Sequence, residues 1–269
     1  MRIESLQNDL VKELRLQRMK RDGVLPPSFI AEGDATLSEA LDAGWAPTLF
    51  VHDDSETARA ARDRVTTAGM RQEVIVTREV LAKITGRDNP PPLIARFDEP
   101  SRPLESLDPS AAPRWLLLEG IRDPGNLGNC IRTAAAVGAG GVILVGECCD
   151  PYAIETVRAS TGSIFAVPIY RASREEARTL LARWPGSSIA AVPRDAVDYD
   201  AIDYRAPALI AIGAEREGLS DDIVRASSAS ARIPMVGRTE SLNLATAAAL
   251  MLYAAMRGQG RGAIDARKA

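Results

Sequence analysis

A two-part α/β fold, in which a mostly parallel sheet is covered by helices, is what this chain predicts. Three observations carry that expectation. Short apolar runs alternate with helical patterns along most of the chain, the grammar of strand–helix units. Runs such as Gly141 to Val145 are apolar without interruption, as strands buried on both faces require. A stretch rich in Pro, Ser and acid, Asp98 to Pro113, interrupts the pattern and reads as a linker. With 269 residues to distribute, the expected organisation is a first domain over 1–98, a linker over 99–113 and a second domain over 114–269.

The first domain opens with an amphipathic helix expected over Ser5 to Arg21, its apolar stripe formed by Leu6, Leu10, Leu14 and Met19. Ser28 to Ala31 and Thr48 to His52 fit strands, and Ala35 to Ala43 between them fits a helix closed by Gly44. Ser55 to Ala68 fits a further helix, followed by Gly69. Glu73 to Val76 and Leu93 to Phe97 complete the strands. After the linker come a strand over Trp115 to Leu118, a helix over Leu127 to Val137 and the Gly141 to Val145 strand. Ile154 to Ser160 is read as helical, Ile164 to Pro168 as extended, and Arg174 to Arg183 as a helix stopped by Pro185. Ser188 to Val192 and Ala208 to Ile212 are two more strands. The chain then passes through Ile233 to Met235 into an Ala-rich helix from Ser241 to about Arg257. That helix is apolar on nearly every side, which predicts burial, and the tail beyond Gly258 is expected to fray.

Composition narrows the chemistry. Hydrophobic residues make up 46% and charged residues 26%, the balance of a globular protein. The net charge of -3 means that nucleic acid, if bound, meets a local basic patch. Three cysteines, Cys130, Cys148 and Cys149, form no disulfide framework and read as reduced thiols of a cytoplasmic protein. His52 is the single histidine, so Ser-His and Cys-His catalytic designs and most zinc sites are excluded. No signal-peptide core opens the chain and no apolar run is long enough to span a bilayer.

Three segments at expected strand ends, where open α/β sheets bind ligands, can carry chemistry. In Glu119 to Arg132, a loop with Pro124, Gly125 and Gly128 leads into a helix. Asn126 either caps that helix or meets a ligand, and Arg132 lies two turns further on, solvated or turned toward the loop. The spacing is not the dinucleotide fingerprint. In Ile212 to Leu219, Gly213 leaves room for a flat ligand against the backbone. Glu215 either organises the loop or touches the ligand, and Gly218 closes the segment. In Ile233 to Ala255, Ser241 and Asn243 stand where a helix begins.

Taken in order, these segments resemble the three motifs of the SpoU/TrmH family of RNA ribose methyltransferases, of the SPOUT class. The residues are Asn126, Gly128 and Arg132; Gly213, Glu215 and Gly218; then Ile233, Pro234 and Met235 followed by Ser241, Leu242 and Asn243. The likeness spans about Trp115 to Arg257. Ser5, Asn8, Val11 and Lys12, with Phe29 to Gly33, make the front half similar to that family's accessory RNA-binding domain, which looks like a small ribosomal protein.

The resemblance implies a C-terminal domain with a deep trefoil knot, a homodimer and S-adenosylmethionine as methyl donor, with no metal. It implies that Gly213, Ala214, Ile233, Met235, Leu242 and Asn243 line the donor pocket. Arg132 would act on a ribose 2′-hydroxyl, with Asn126, Glu215, Ser241 and Asn243 positioning the groups around it. RNA is the implied substrate, 23S ribosomal RNA ahead of tRNA. Lys12, Arg15, Arg18, Lys20 and Arg21 of the opening helix either grip it or form a solvated face. The competing readings are a tRNA ribose methyltransferase, a catalytically silent RNA-binding protein on this scaffold, a base-modifying relative, and an oxidoreductase that lacks its glycine fingerprint.

Overall fold

The computed structural model describes residues 1–19, 27–239 and 241–260. Its elements, in chain order, are β1 (Arg2–Ile3), α1 (Asp9–Met19), β2 (Ser28–Glu32), α2 (Asp34–Asp42), β3 (Leu49–His52), α3 (Glu56–Thr67), β4 (Gln72–Val76), α4 (Arg78–Thr85), β5 (Leu93–Asp98), β6 (Arg114–Glu119), α5 (Pro124–Ala136), β7 (Val142–Val145), α6 (Ile154–Ser160), β8 (Ile169–Ala172), α7 (Arg174–Ala182), β9 (Ser188–Ala191), β10 (Val197–Asp198), β11 (Ala208–Gly213), α8 (Asp221–Ala226), β12 (Ala229–Arg232) and α9 (Leu244–Gly258). Lys20, Arg21 and the tail 261–269 lie outside the described residues. Among the described residues, no helix is long and apolar enough to cross a membrane. The chain divides into two units, Met1–Ser101 with Asp150–Ala166, and Arg102–Cys149 with Val167–Ala269.

In the first unit the strands lie in the order β1-β4-β3-β5-β2. The sheet is mixed rather than mostly parallel. β1, β4 and β3 pair in parallel, while β5 runs antiparallel to both β3 and β2. Between β4 and β5 stands α4, which the sequence pattern did not reveal. It is eight residues long, about 12 Å, and ends at the left-handed Gly86. Leu93 then enters β5 beside His52 in the reverse sense, at the sheet end where β4 finished. The core gathers Val11, Leu14, Val51, Val74, Leu81 and Ile94.

Ile154 joins that same core, so α6, read from sequence with the second half, packs in the first unit. Tyr152 and Phe165 meet Phe29 at ring-centroid distances of 4.9 and 5.6 Å, and Trp45 Nε1 donates to the Phe165 carbonyl at 2.9 Å. Arg158 forms a two-pronged ion pair with the buried Glu32, at 2.9 and 2.8 Å. The expected strand over Ile164 to Pro168 is instead a single 3₁₀ turn, Ser163–Phe165, entered through Gly162 at φ +90°. Its Phe165 is turned into the aromatic cluster, and the strand starts only at Ile169.

The second unit is an all-parallel sheet in the order β10-β12-β9-β11-β6-β7-β8. Its central strands β6 and β11 are buried throughout, apart from half-buried Gly213, which accounts for their unbroken apolar runs. Trp115 and Leu117 pack with Ala177, Leu181 and Ile223 under α7 and α8. By alternation, Leu116 and Leu118 face the opposite layer, where α9 packs on β6, β11 and α5. The acidic Pro-rich stretch contains two 3₁₀ turns, Leu104–Ser106 and Pro109–Ala111, and Leu104 and Leu107 pack on this unit's core. The last helix is not buried all round. Ala248, Met251, Leu252 and Ala255 are inside, but Tyr253 is 43% exposed, because only one side of α9 faces the sheet.

Candidate active site

The three motif segments converge at the carboxyl ends of β6 and β11, where Gly213 pairs with Glu119. The first segment turns at Gly120 (φ +69°) and enters α5. Asp123, not Asn126, caps that helix. Its Oδ1 accepts from the Asn126 backbone N–H at 2.6 Å, and Pro124 takes the first helical position, where its missing N–H costs nothing. Relieved of capping, the Asn126 side chain points outward to two partners. Its Nδ2 donates to Glu215 Oε1 at 2.6 Å. Its Oδ1 accepts from Asn243 Nδ2 at 2.9 Å.

Asn243 is a true cap. Its Oδ1 accepts from the N–H groups of Ala245 and Thr246 at 2.9 and 3.3 Å. That commitment fixes the direction of the whole relay. With Oδ1 occupied by the helix end, Asn243 must offer its amide N–H to Asn126, and Asn126 must then offer its own to the carboxylate. Partners 117 and 89 residues apart are thereby joined.

Glu215 stands on a loop that folds back on its own strand. An isolated bridge pairs Ala214 with Gly218, and Gly218 adopts φ +70°. The space beside Gly213 is filled from within, since a Cβ there would lie 2.0 Å from the Gly218 carbonyl carbon. The glycine admits this loop, since any side chain at that position would collide with its backbone.

A cleft of about 250 Å³ opens among 120–123, Asn126, 214–217 and Leu244. Ile121 and Leu244 are buried and apolar. Asp123, Glu215 and Glu217 bring carboxylates, and Arg122 and Arg216 bring guanidinium groups. This donor set suits a ligand that carries cationic and anionic groups on an apolar body. Among the residues anticipated from sequence, Asn126, Ala214 and Glu215 line the cleft, and Asn243 braces Asn126. Ile233 and Leu242 are half-buried and Met235 and Ser241 exposed, none of them among its walls. Arg132 is exposed on α5 without an ion-pair partner among the described residues. Six residues past Asn126, it projects roughly 120° around the helix and about 9 Å further along it.

Glu119, Arg122 and Asp123 also belong to the site, though the sequence does not single them out one by one. The Asp-Pro pair at 123–124 was the available signal for the cap. In the first unit, Lys12 pairs with Asp9 at 3.2 Å, while Arg15 and Arg18 line a groove with Lys83, Arg87, Glu79 and Asp88. Two of the thiols, Cys130 and Cys148, are poor nucleophiles. Burial, reinforced by nearby Cys149, pushes Cys130 up to about 12, and burial likewise raises Cys148.

Comparison with known proteins points the same way. A model of the SpoU rRNA Methylase family matches residues 113–253, and one of the MRM3-like substrate binding domain matches residues 8–95. The 23S rRNA (uridine(2479)-2′-O)-methyltransferase of Streptomyces viridochromogenes is 33% identical over 242 residues, 85% of this chain and 82% of its own. A crystal structure of an rRNA methyltransferase from Sinorhizobium meliloti matches with a TM-score of 0.86 at 38% identity, over 96% of this chain and 97% of that one. An S-adenosylmethionine-bound rRNA methyltransferase structure from the same organism matches at 0.82 and 38%, with the same coverage.

Proposed function

This chain belongs to the SpoU rRNA methylase family, and from that premise we propose that it methylates a ribose 2′-hydroxyl of 23S ribosomal RNA with S-adenosylmethionine. The observation that carries the reading is the Asn243–Asn126–Glu215 relay, which ties all three motif segments into one site. The donor supplies a methyl already activated by a sulfonium charge. Gly213, Ala214, Ile233, Met235, Leu242 and Asn243 hold it in this proposal, and the carboxylates at the cleft complement its positive charge.

The 2′-hydroxyl is a weak nucleophile that must lose its proton as the new bond forms. Arg132 remains protonated and cannot serve as base. Its guanidinium instead steadies the developing alkoxide, and a phosphate oxygen of the RNA takes the proton. Asn126, oriented by its two partners, and Ser241 position ribose and phosphate. Holding oxygen and methyl in line removes roughly 7–11 kcal/mol of barrier in favourable cases. Lys12, Arg15 and Arg18 contribute phosphate contacts from the first unit.

The assembly proposed is a cytoplasmic homodimer, each copy carrying the trefoil knot of its family. The exposed side of α9 around Tyr253, and Arg132 left free on neighbouring α5 among the described residues, support a second copy across this surface. Sedimentation should give twice the mass of one 28.8 kDa chain. The decisive experiment maps methylation in RNA incubated with protein and labelled donor. Resistance of one phosphodiester to alkaline hydrolysis is the expected result, and label on a base would overturn the proposal.

A further inference from the structure

Glu119 is a carboxylate that the reaction just described does not use. It is the last residue of β6, and its side chain is only 3% exposed. Such burial is costly unless both oxygens are satisfied, and both are. Oε1 accepts from Arg174 Nε at 2.9 Å, and Oε2 accepts from the backbone N–H of Ser220 at 2.8 Å. The backbone of the same residue pairs with Gly213 in the sheet.

Glu119 therefore holds both ends of the segment that carries Glu215. Its main chain sets Gly213, where the segment leaves β11, and its side chain sets Ser220, where the segment ends. Between these points the loop is short and tightly folded, closed by the Ala214–Gly218 bridge and pressed against Gly213. Glu215 rides on it and meets Asn126 at 2.6 Å. The two arms of the carboxylate differ in what they reach. Arg174 is 69% exposed and anchors nothing in the cleft, whereas Ser220 is covalently continuous with the Glu215 loop.

We propose that Glu119 is a positioning residue for methyl transfer, latching the 214–219 loop through the Ser220 N–H so that Glu215 holds Asn126 in place. The inference rests on the ribose methylation reading above, and its test separates the two. Glu119→Ala, which removes both acceptor oxygens, should lower kcat about tenfold, below the roughly hundredfold that a 1 Å misplacement can cost, with KM for RNA within about twofold. Glu119 acts through Glu215, so its effect should vanish in a Glu215→Gln background: the double variant turns over as slowly as Glu215→Gln alone.

Ser220→Pro isolates the latch should the first variant fold poorly. Ser220 already has φ -65°, which proline adopts without strain, and its buried hydroxyl has no partner to lose. It should reproduce the tenfold loss and the same non-additivity, while Arg174→Ala should keep wild-type turnover. If Glu215→Gln slows the enzyme but the Glu119 and Ser220 effects multiply with it, or are absent, the latch is wrong and the reaction stands. If Glu215→Gln methylates RNA at the wild-type rate, the role of Glu215 falls and the latch falls with it.

Discussion

Replacing Arg158 with Met should destabilise the first unit by about 2–4 kcal/mol. Glu32 is only 4% exposed in this pair, and both its oxygens accept from the Arg158 guanidinium. Removing one partner of a buried pair strands the other, at a cost of about 3–5 kcal/mol. Arg158 also donates to the Thr85 carbonyl at 3.3 Å. Against this, Arg87 stands 3.5 Å from Glu32 and is 45% exposed; such a partner recovers at most ~1 kcal/mol, which gives the lower figure. Hydrogen exchange is the suitable assay, because amides of β2 and α6 should lose protection together. Adding Glu32→Gln to Arg158→Met should restore part of the loss, since an uncharged pair leaves no buried charge unmatched. A single-variant loss below about 1 kcal/mol, or a double variant as unstable as the sum of its parts, would refute the reasoning.

Other outcomes follow from the site and its support. Arg132→Ala should cut methyl transfer by about 10²–10³, the loss expected for removing one stabiliser of a developing oxyanion, while calorimetry still detects donor binding; full activity would remove Arg132 from the mechanism. Gly213→Ala should expel the 214–218 loop, because the added carbon meets backbone rather than a flexible side chain, and a variant with unchanged kcat would contradict the tight packing there. Burial opposes ionisation of Glu73, but its hydrogen bond from His52 and the charge of Arg62 outweigh that and hold it below the ordinary 4.5. Its contribution to stability is present above that value and fades as pH falls below it, so wild-type protein should lose stability between pH 5 and 3, about where such carboxylates titrate, faster than Glu73→Gln; parallel curves would exclude the effect.

How much of this was legible beforehand depends on the range of the contacts involved. β6, β7 and β11 announce themselves because strands covered on both faces must be apolar at every position, and Trp115 to Leu118 is. β12 does not, since Ala229–Arg232 offers small and polar side chains to its neighbours and is set by its backbone ladder to β9 and β10 and by the Arg232–Asp198 ion pair at 2.8 Å. α4 escaped because one short helix between two strands leaves too few turns for a period to stand out. The destination of α6 was equally hidden. An amphipathic stripe such as Ile154 and Val157 says that something covers it, not which partner does; Ile154 finds the core of the first unit, and Arg158 beside it finds Glu32, 126 residues away.

The site shows the same division at finer grain. Each of its three segments carries recognisable residue types, so Asn126, Glu215 and Asn243 could be singled out one at a time. Whether Asn126 is a cap or a ligand-facing group is not decided by that residue alone, because Asn serves both. Asp123 decides it by taking the cap and releasing the Asn126 amide. The amide then has a definite direction only because Asn243 has already spent its oxygen on α9. The chemistry of the cleft is thus set at a helix end in one segment and delivered to a carboxylate in another. The orientation of Asn126 should accordingly respond to Asn243→Asp, which replaces the donated N–H by a second carboxylate and leaves the cap intact. Asn126 would then face a carboxylate on each side and keep one of its two hydrogen bonds, and a loosened amide, seen as changed side-chain NH₂ shifts by NMR without loss of helical signal, is the expected consequence. Unaltered shifts would mean that the relay does not orient the residue at all.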